Sequence, residues 1–265
     1  MKYSWVLHSA DKPAVLNQLF KDWTDLALSF NKKLELEPHV IGISGERYSG
    51  KVMRFKTGYK KALSNGYEGI DGISIYTEDP AGDDFAYYWK TLFSIDYGNQ
   101  NFILYIGTDV NVTTKDQVIQ EAIIPICNLL NISYGYSYTM PFERGPFSYG
   151  LSFIDLPPGF QLSDEEEMYM IKSSPYIRIL NEGTAVFRDI YQENFLTQIQ
   201  LNAPVEGMFL QDWIMNDPAH GTLTELVGKP FWKIEKEKIV HVRNILNQHG
   251  LLVAYDKNIV PGLVG

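Results

Sequence analysis

KTLFSIDYGNQNFILYIG, residues Lys90 to Gly107, decides how the rest of the chain is read. Two β-prone runs, Lys90 to Tyr97 and Asn101 to Gly107, flank Gly98-Asn99-Gln100, the pattern of a β-hairpin. Working outward, Ile73 to Thr77 is strand-like and is followed by the Gly- and Pro-containing acidic turn EDPAGDD, Glu78 to Asp84. On the other side, Thr114 and Gln117 form a capping box. It opens a helix whose Ile119, Ala122, Ile123, Ile126 and Leu130 share a face, and Pro125 inside it predicts a kink. Further upstream, residues 3–8 read as a strand. Asp11 and Pro13 open a helix over 13–31 that buries Leu16, Leu19, Phe20, Trp23, Ala27 and Phe30. His39 to Ser44 reads as a strand running into a glycine-spaced loop.

Downstream, a second hairpin is expected from Ile132 to Met140, the turn PFERGP, and Phe147 to Asp155. Ser163 and Glu166 cap a short acidic helix. Tyr176 to Leu180 and Thr184 to Ile190 form a third expected hairpin. Phe195, Thr197, Ile199 and Leu201 alternate as a strand. A short helix near Gln211 to Met215, the turn Asp217 to Gly221, a helix over Lys236 to His249 stopped by Gly250, and a strand over Leu251 to Tyr255 complete the chain. Strands in hairpins with helices singly between them predict an α+β fold, an antiparallel or mixed sheet with helices packed on it. The expected organisation is one domain, 1–265, with a soft seam near 156–162 at Leu156-Pro157-Pro158-Gly159. The alternative is two domains, 1–158 and 159–265.

With 265 residues and 45% hydrophobic composition, the chain has material for a large core. Its 32 acidic against 23 basic residues give a formal charge of −9, which disfavours nucleic acid and anionic membranes as partners and favours a basic one. The single cysteine, Cys127, rules out an internal disulfide framework. The first residues lack the apolar run of roughly 7–15 that a signal peptide needs. No stretch approaches the ~20 apolar residues of a membrane span. The expectation is a cytoplasmic protein.

Motifs for chemistry fail on their details. Gly45-Glu46-Arg47-Tyr48-Ser49-Gly50-Lys51 fits a phosphate-binding loop, but Val52 stands where a Mg²⁺-binding hydroxyl belongs. Ser29 to Lys32 and Lys56-Thr57-Gly58 fit two serine acyltransferase motifs, but lie too close together. Pro146 replaces the first glycine of a nucleophile elbow before Ser148. No histidine pair has a metal-binding spacing. Glu237 with His241, and Asp212, Asp217 and His220, read as surface contacts and a helix-end turn. No cofactor, metal or catalytic residue is expected, and the chain is read as a non-enzyme. The acidic runs, Asp83-Asp84 and Asp164 to Glu167, read as solvated charge. In the strand to Met140, Tyr134, Tyr136 and Tyr138 point one way, either as a core layer or as an interface platform.

The stretch Asn65 to Tyr76, Leu92 to Tyr97, the helix ending at Leu130, and the closing GTLTELVGKPFWKI and VRNILNQHGLLV resemble bacterial immunity proteins of the polymorphic-toxin and type VI secretion kind. The resemblance implies a cytosolic non-enzyme that binds and neutralises a cognate toxin. On that reading Glu78, Asp79, Asp83, Asp84, Asp164, Glu165 and Glu166, with Tyr134, Tyr136 and Tyr138, are the candidate contacts to a basic toxin surface. The alternative is a small-molecule or nucleotide-binding enzyme using residues 45–51.

Overall fold

The order of elements in the computed structural model follows the hairpin rhythm of the sequence. The structure describes residues 1–9, 15–77, 89–98, 101–142, 145–151, 164 and 183–253. They fall into two compact units, Met1–Ile132 and Ser133–Gly265. The expected seam near 156–162 lies outside the described residues, as do the Asp11 cap, the Ser163 cap and the strand expected at Tyr176 to Leu180.

Unit 1 contains β1 (Lys2–Ser9), α1 (Leu16–Lys33), β2 (Val40–Gly45), β3 (Tyr48–Arg54), α2 (Phe55–Ser64), β4 (Gly72–Tyr76), β5 (Thr91–Gly98) and β6 (Asn101–Asp109). α3 (Lys115–Val118) then continues through a π-helical turn, Ile119–Ile123, into α4 (Ile124–Leu129). The strands lie in the order β1-β6-β5-β4-β2-β3, every neighbouring pair antiparallel. The α+β class read from sequence is therefore the observed one.

Register assigns the two faces of this sheet. Ile41, Ile75, Phe93, Ile106 and Trp5 form one transverse row, and Ile43, Ile73, Ile95, Leu104 and Leu7 the next on the same face. Phe93 meets Trp23 and Phe30 of α1 at ring-centroid distances of 5.8 and 5.2 Å, so this is the helix-covered face. α2 packs there too, through Gly58. A Cβ on Gly58 would stand 2.3 Å from Ile41 Cγ2, so only glycine lets the helix approach this closely.

Pro125 shapes the last helix of unit 1. Its ring clashes with the carbonyl four residues back, and the chain widens into the π turn immediately before it. Thr114 caps the start by accepting the Gln117 N–H. The Gln117 side chain bonds the Thr113 hydroxyl instead of closing the predicted box.

The glycine-spaced loop expected after His39 to Ser44 is instead a hairpin. β3 pairs with β2, and only Glu46 and Arg47 make the turn. Gly45 and Gly50 take positive φ of 145° and 74°, so the glycines serve a bulged hairpin and not a loop of open amides. Lys51 sits exposed within the strand β3. The geometry needed for phosphate cradling at 45–51 is absent from this segment.

Unit 2 contains β7 (Tyr134–Met140), α5 (Pro146–Leu151), β8 (Glu193–Phe195), α6 (Gln198–Leu201), β9 (Pro204–Val205), β10 (Met208–Phe209), α7 (Leu210–Asn216), β11 (Thr222–Leu226), β12 (Lys229–Lys233) and α8 (Ile239–Gln248). Its sheet runs β11-β12-β8-β7. Sequence expectation fails most often here. Phe147 to Leu151 is helical because Pro146 suits the first turn, after Gly145 at φ 59°. Thr184 to Ile190 forms a single bridge at Phe187, to Leu252, and no strand. Leu251 to Val253 likewise contributes only that bridge. The alternation Phe195, Thr197, Ile199, Leu201 conceals a strand end and a helix. Thr197 accepts the Gln200 N–H and the Gln200 side chain accepts the Thr197 N–H, a complete capping box.

Candidate functional site

The side chains singled out by sequence divide sharply in placement. Glu78, Asp79, Asp83, Asp84, Glu165 and Glu166 lie outside the described residues, and Asp164 is exposed on a helical residue. Tyr134, Tyr136 and Tyr138 are interior to the described chain, each at most 3% exposed, so this stripe packs as core and does not stand as an open platform. The Tyr136 ring stacks on Tyr191 at 4.4 Å. Its hydroxyl accepts from Arg188 at 2.6 Å and donates to the Gly150 carbonyl at 3.0 Å. Burial pushes the Tyr136 pKa up, with Arg188 opposing, and the group keeps the proton it donates.

Around Tyr136, unit 2 buries charge. Arg188, Asp189 and Arg243 are almost fully enclosed. Arg243 donates to Asp189 in a two-pronged pair, Nε to Oδ1 at 2.7 Å and Nη2 to Oδ2 at 2.8 Å. Arg188 also donates to the Tyr149 carbonyl and lies 4.8 Å from the Tyr149 ring centroid. The Ser137 hydroxyl donates to Glu193 at 2.6 Å, and Asn194 pairs with the Tyr191 backbone. Arg243 could have been found from sequence. It stands four residues after Ile239 and three before Leu246, on the buried stripe of α8. Held by these hydrogen bonds among its own charged and polar groups, this cluster acts as scaffold.

An accessible polar site occurs on unit 1, on the sheet face opposite α1. Register aligns Val52, Gly42, Ser74 and Ser94 in one row and Ser44, Gly72 and Asp96 in the next. With glycine and serine in place of large side chains, the face sinks into a shallow concavity of about 90 Å³, lined among others by Gly42, Ser44, Val52, Gly72, Tyr76 and Asp96. The hydroxyl of Ser74, which also lines it, bonds that of Ser94 at 2.8 Å. A Cβ built on Gly72 would lie 2.5 Å from Ser44 Oγ, 3.1 Å from Asp96 Oδ2 and 3.3 Å from the Ile95 carbonyl. Partial burial, and then the charge of Asp71, raises the Asp96 pKa above the ordinary carboxyl value. Sequence reasoning passed over this site because its signal, small residues alternating with isoleucine on β2 and β4, reads simply as strand.

Among the described residues no group of three or more His, Cys, Asp or Glu side chains is placed to hold a metal ion. No described helix is long and apolar enough to cross a membrane.

No protein-family model matches the chain, and no curated protein matches it. Among solved structures it is similar to the Pseudomonas aeruginosa T6SS protein PA0821, with a TM-score of 0.58 over 95% of this chain and 73% of that one. The two sequences are 11% identical over that match, so the likeness is one of fold.

Proposed function

We propose that this chain is an immunity-type protein that binds and neutralises a cognate bacterial toxin by protein–protein contact in the cytoplasm. The observation that carries the reading is the fold shared with a T6SS protein over 95% of the chain. It joins the sequence resemblance of Asn65 to Tyr76 and the closing segments to immunity proteins of that kind. A formal charge of −9 supports capture of a basic partner, because complementary fields raise association rates.

The test is co-expression with the products of adjacent genes, followed by pull-down and growth measurement. A 1:1 complex and restored growth in the presence of an otherwise toxic neighbour are expected. A neighbour that remains toxic, with no complex formed by any adjacent product, overturns the reading.

A further inference from the structure

We infer that the edge strand β3, with α2 beside it, is a docking surface for an extended acidic segment of another protein, which adds to the sheet along β3. This surface is separate from the capture of a basic partner proposed above, and stands whether or not that function holds.

Charge singles the surface out. From Arg47 to Ser64 the chain carries Arg47, Lys51, Arg54, Lys56, Lys60 and Lys61 and no acidic residue. A total of −9 that includes these six positive charges leaves −15 for the rest of the chain. All six side chains are exposed: Arg47 in the turn, Lys51 and Arg54 on β3, and the other three on α2. Strand and helix run side by side. Lys61 Nζ lies 4.5 Å over the ring of Tyr48 at the start of β3, and Gly58 brings α2 close to Met53 near its end. The cations of α2 therefore lie alongside the edge. Among the described residues no carboxylate pairs with any of the six. Lys56 and Lys60 stand one turn apart, a like-charge spacing that destabilises a helix and that negative charge from outside relieves.

The strand adds an open edge. β3 ends the sheet order and pairs, among the described residues, with β2 alone. The Phe55 N–H bonds the His39 carbonyl at 2.8 Å, which in this register makes Ile41 and Met53 a hydrogen-bonded pair. Val52 and Arg54, one residue to either side of Met53, then turn their N–H groups away from β2, as Val52 does its carbonyl. Groups set out in this way pair with the backbone of an added strand.

Charge and edge together select the occupant. A second copy paired β3 to β3 would bring the Lys51 and Arg54 charges of both strands together, which is repulsive. A nucleic acid or an anionic bilayer extends beyond the patch and meets the −15 of the remaining chain. An extended peptide with acidic alternate residues covers only β3 and α2. It bonds the outward backbone groups and sets its carboxylates among the lysines and arginines.

Titration of the full chain with the peptide acetyl-Thr-Glu-Val-Glu-Val-Glu-Thr-amide, followed by backbone amide NMR, tests this. Saturable shifts at Val52 and Arg54 are expected, with an affinity that falls as salt rises. Binding should weaken roughly tenfold in the double variant Lys51→Glu with Arg54→Glu, and also weaken in Lys56→Glu with Lys60→Glu. All four positions are exposed, and circular dichroism checks that the variants fold. The same peptide with Gln for Glu, and one N-methylated on the edge that faces β3, should both bind more weakly than the parent. Equal binding of the Gln peptide overturns the charge basis of the surface, and equal binding of the N-methylated one overturns strand addition. Absence of shifts at Val52 and Arg54 overturns the docking surface itself. Shifts there with oligothymidylate or with phosphatidylserine vesicles, and none with the peptide, overturn the protein partner and assign the patch to a nucleic acid or a membrane.

Discussion

In unit 1 the row Ile41, Ile75, Phe93 and Ile106 lies on the helix-covered face of the sheet. In unit 2 the most enclosed side chains include Arg188, Asp189 and Arg243. Both interiors exclude water, but they tolerate substitution differently. An apolar layer loses free energy in proportion to what is removed and how far its neighbours collapse. A buried ion pair gains little over an apolar replacement, yet loses heavily when a single partner goes, because the remaining charge stays buried. Unit 2 is therefore the more fragile to single changes and the less fragile to paired ones.

The largest expected effect tests that asymmetry directly. Asp189→Ala leaves the Arg243 guanidinium enclosed without its two-pronged acceptor, and should cost ~3–5 kcal/mol in urea unfolding. The double change Asp189→Leu with Arg243→Met should recover most of that loss. If the double variant is as unstable as the single, the pair is contributing net stability and the contrast between the units fails.

In unit 1 the sensitive points are steric. Gly58→Ala gains helix propensity of about 1 kcal/mol but drives a methyl group onto Ile41 Cγ2 and Met53, 2.3 and 3.0 Å from the new atom. Ile41 is β-branched and held in a central row of the sheet, so it yields poorly. The net result should be a destabilisation of about 1–3 kcal/mol, read as a lower urea midpoint at unchanged slope. A stabilised variant would show that α2 slides freely over β2.

The same contrast explains what was legible in sequence. Unit 1 obeys periodicity: of the predicted helix face Leu19, Phe20, Trp23, Ala27 and Phe30 are buried and Leu16 is half-buried, and Ile73 and Ile75 of the strand-like run are buried on alternate residues. Apolar burial leaves a period in the sequence, and the period identifies the element. In unit 2 hydrogen bonds replace part of that burial, and they leave no period. Arg188-Asp189 interrupts the run Ala185 to Tyr191 and was read within a strand, although these side chains make the core. Thr197 stands in the strand-like alternation Phe195, Thr197, Ile199, Leu201, yet it caps a helix together with Gln200. The candidate site was missed for a third reason: glycines and serines on a sheet face make a depression only once register aligns them across strands.

A smaller effect is expected at an exposed turn in unit 2. Val227 and Gly228 both have positive φ, 53° and 69°, and close the two-residue hairpin between β11 and β12. Asn-Gly favours that conformation, whereas a β-branched side chain there is strained. Val227→Asn should raise stability by about 1 kcal/mol in thermal unfolding. No gain would show that the valine side chain packs well enough to offset its backbone.

The smallest effect concerns Asp96, and its sign separates the two kinds of carboxylate. Asp189 is held by Arg243, whereas the surroundings of Asp96 raise its pKa above 3.8, first through partial burial and then through Asp71. A carboxyl with a raised folded pKa disfavours folding while it is ionised. Its protonation therefore adds stability as pH falls through the folded pKa towards 3.8, and below that value no further gain accrues. Asp96→Asn removes the charge at every pH. The variant should melt slightly above wild type at pH 7, and the difference should close as the pH approaches 3.8. A wild type already more stable than Asp96→Asn at pH 7 without any ligand would mean the carboxylate is satisfied within the chain. Asp96 would then belong with Asp189, as part of the scaffold and not of a site.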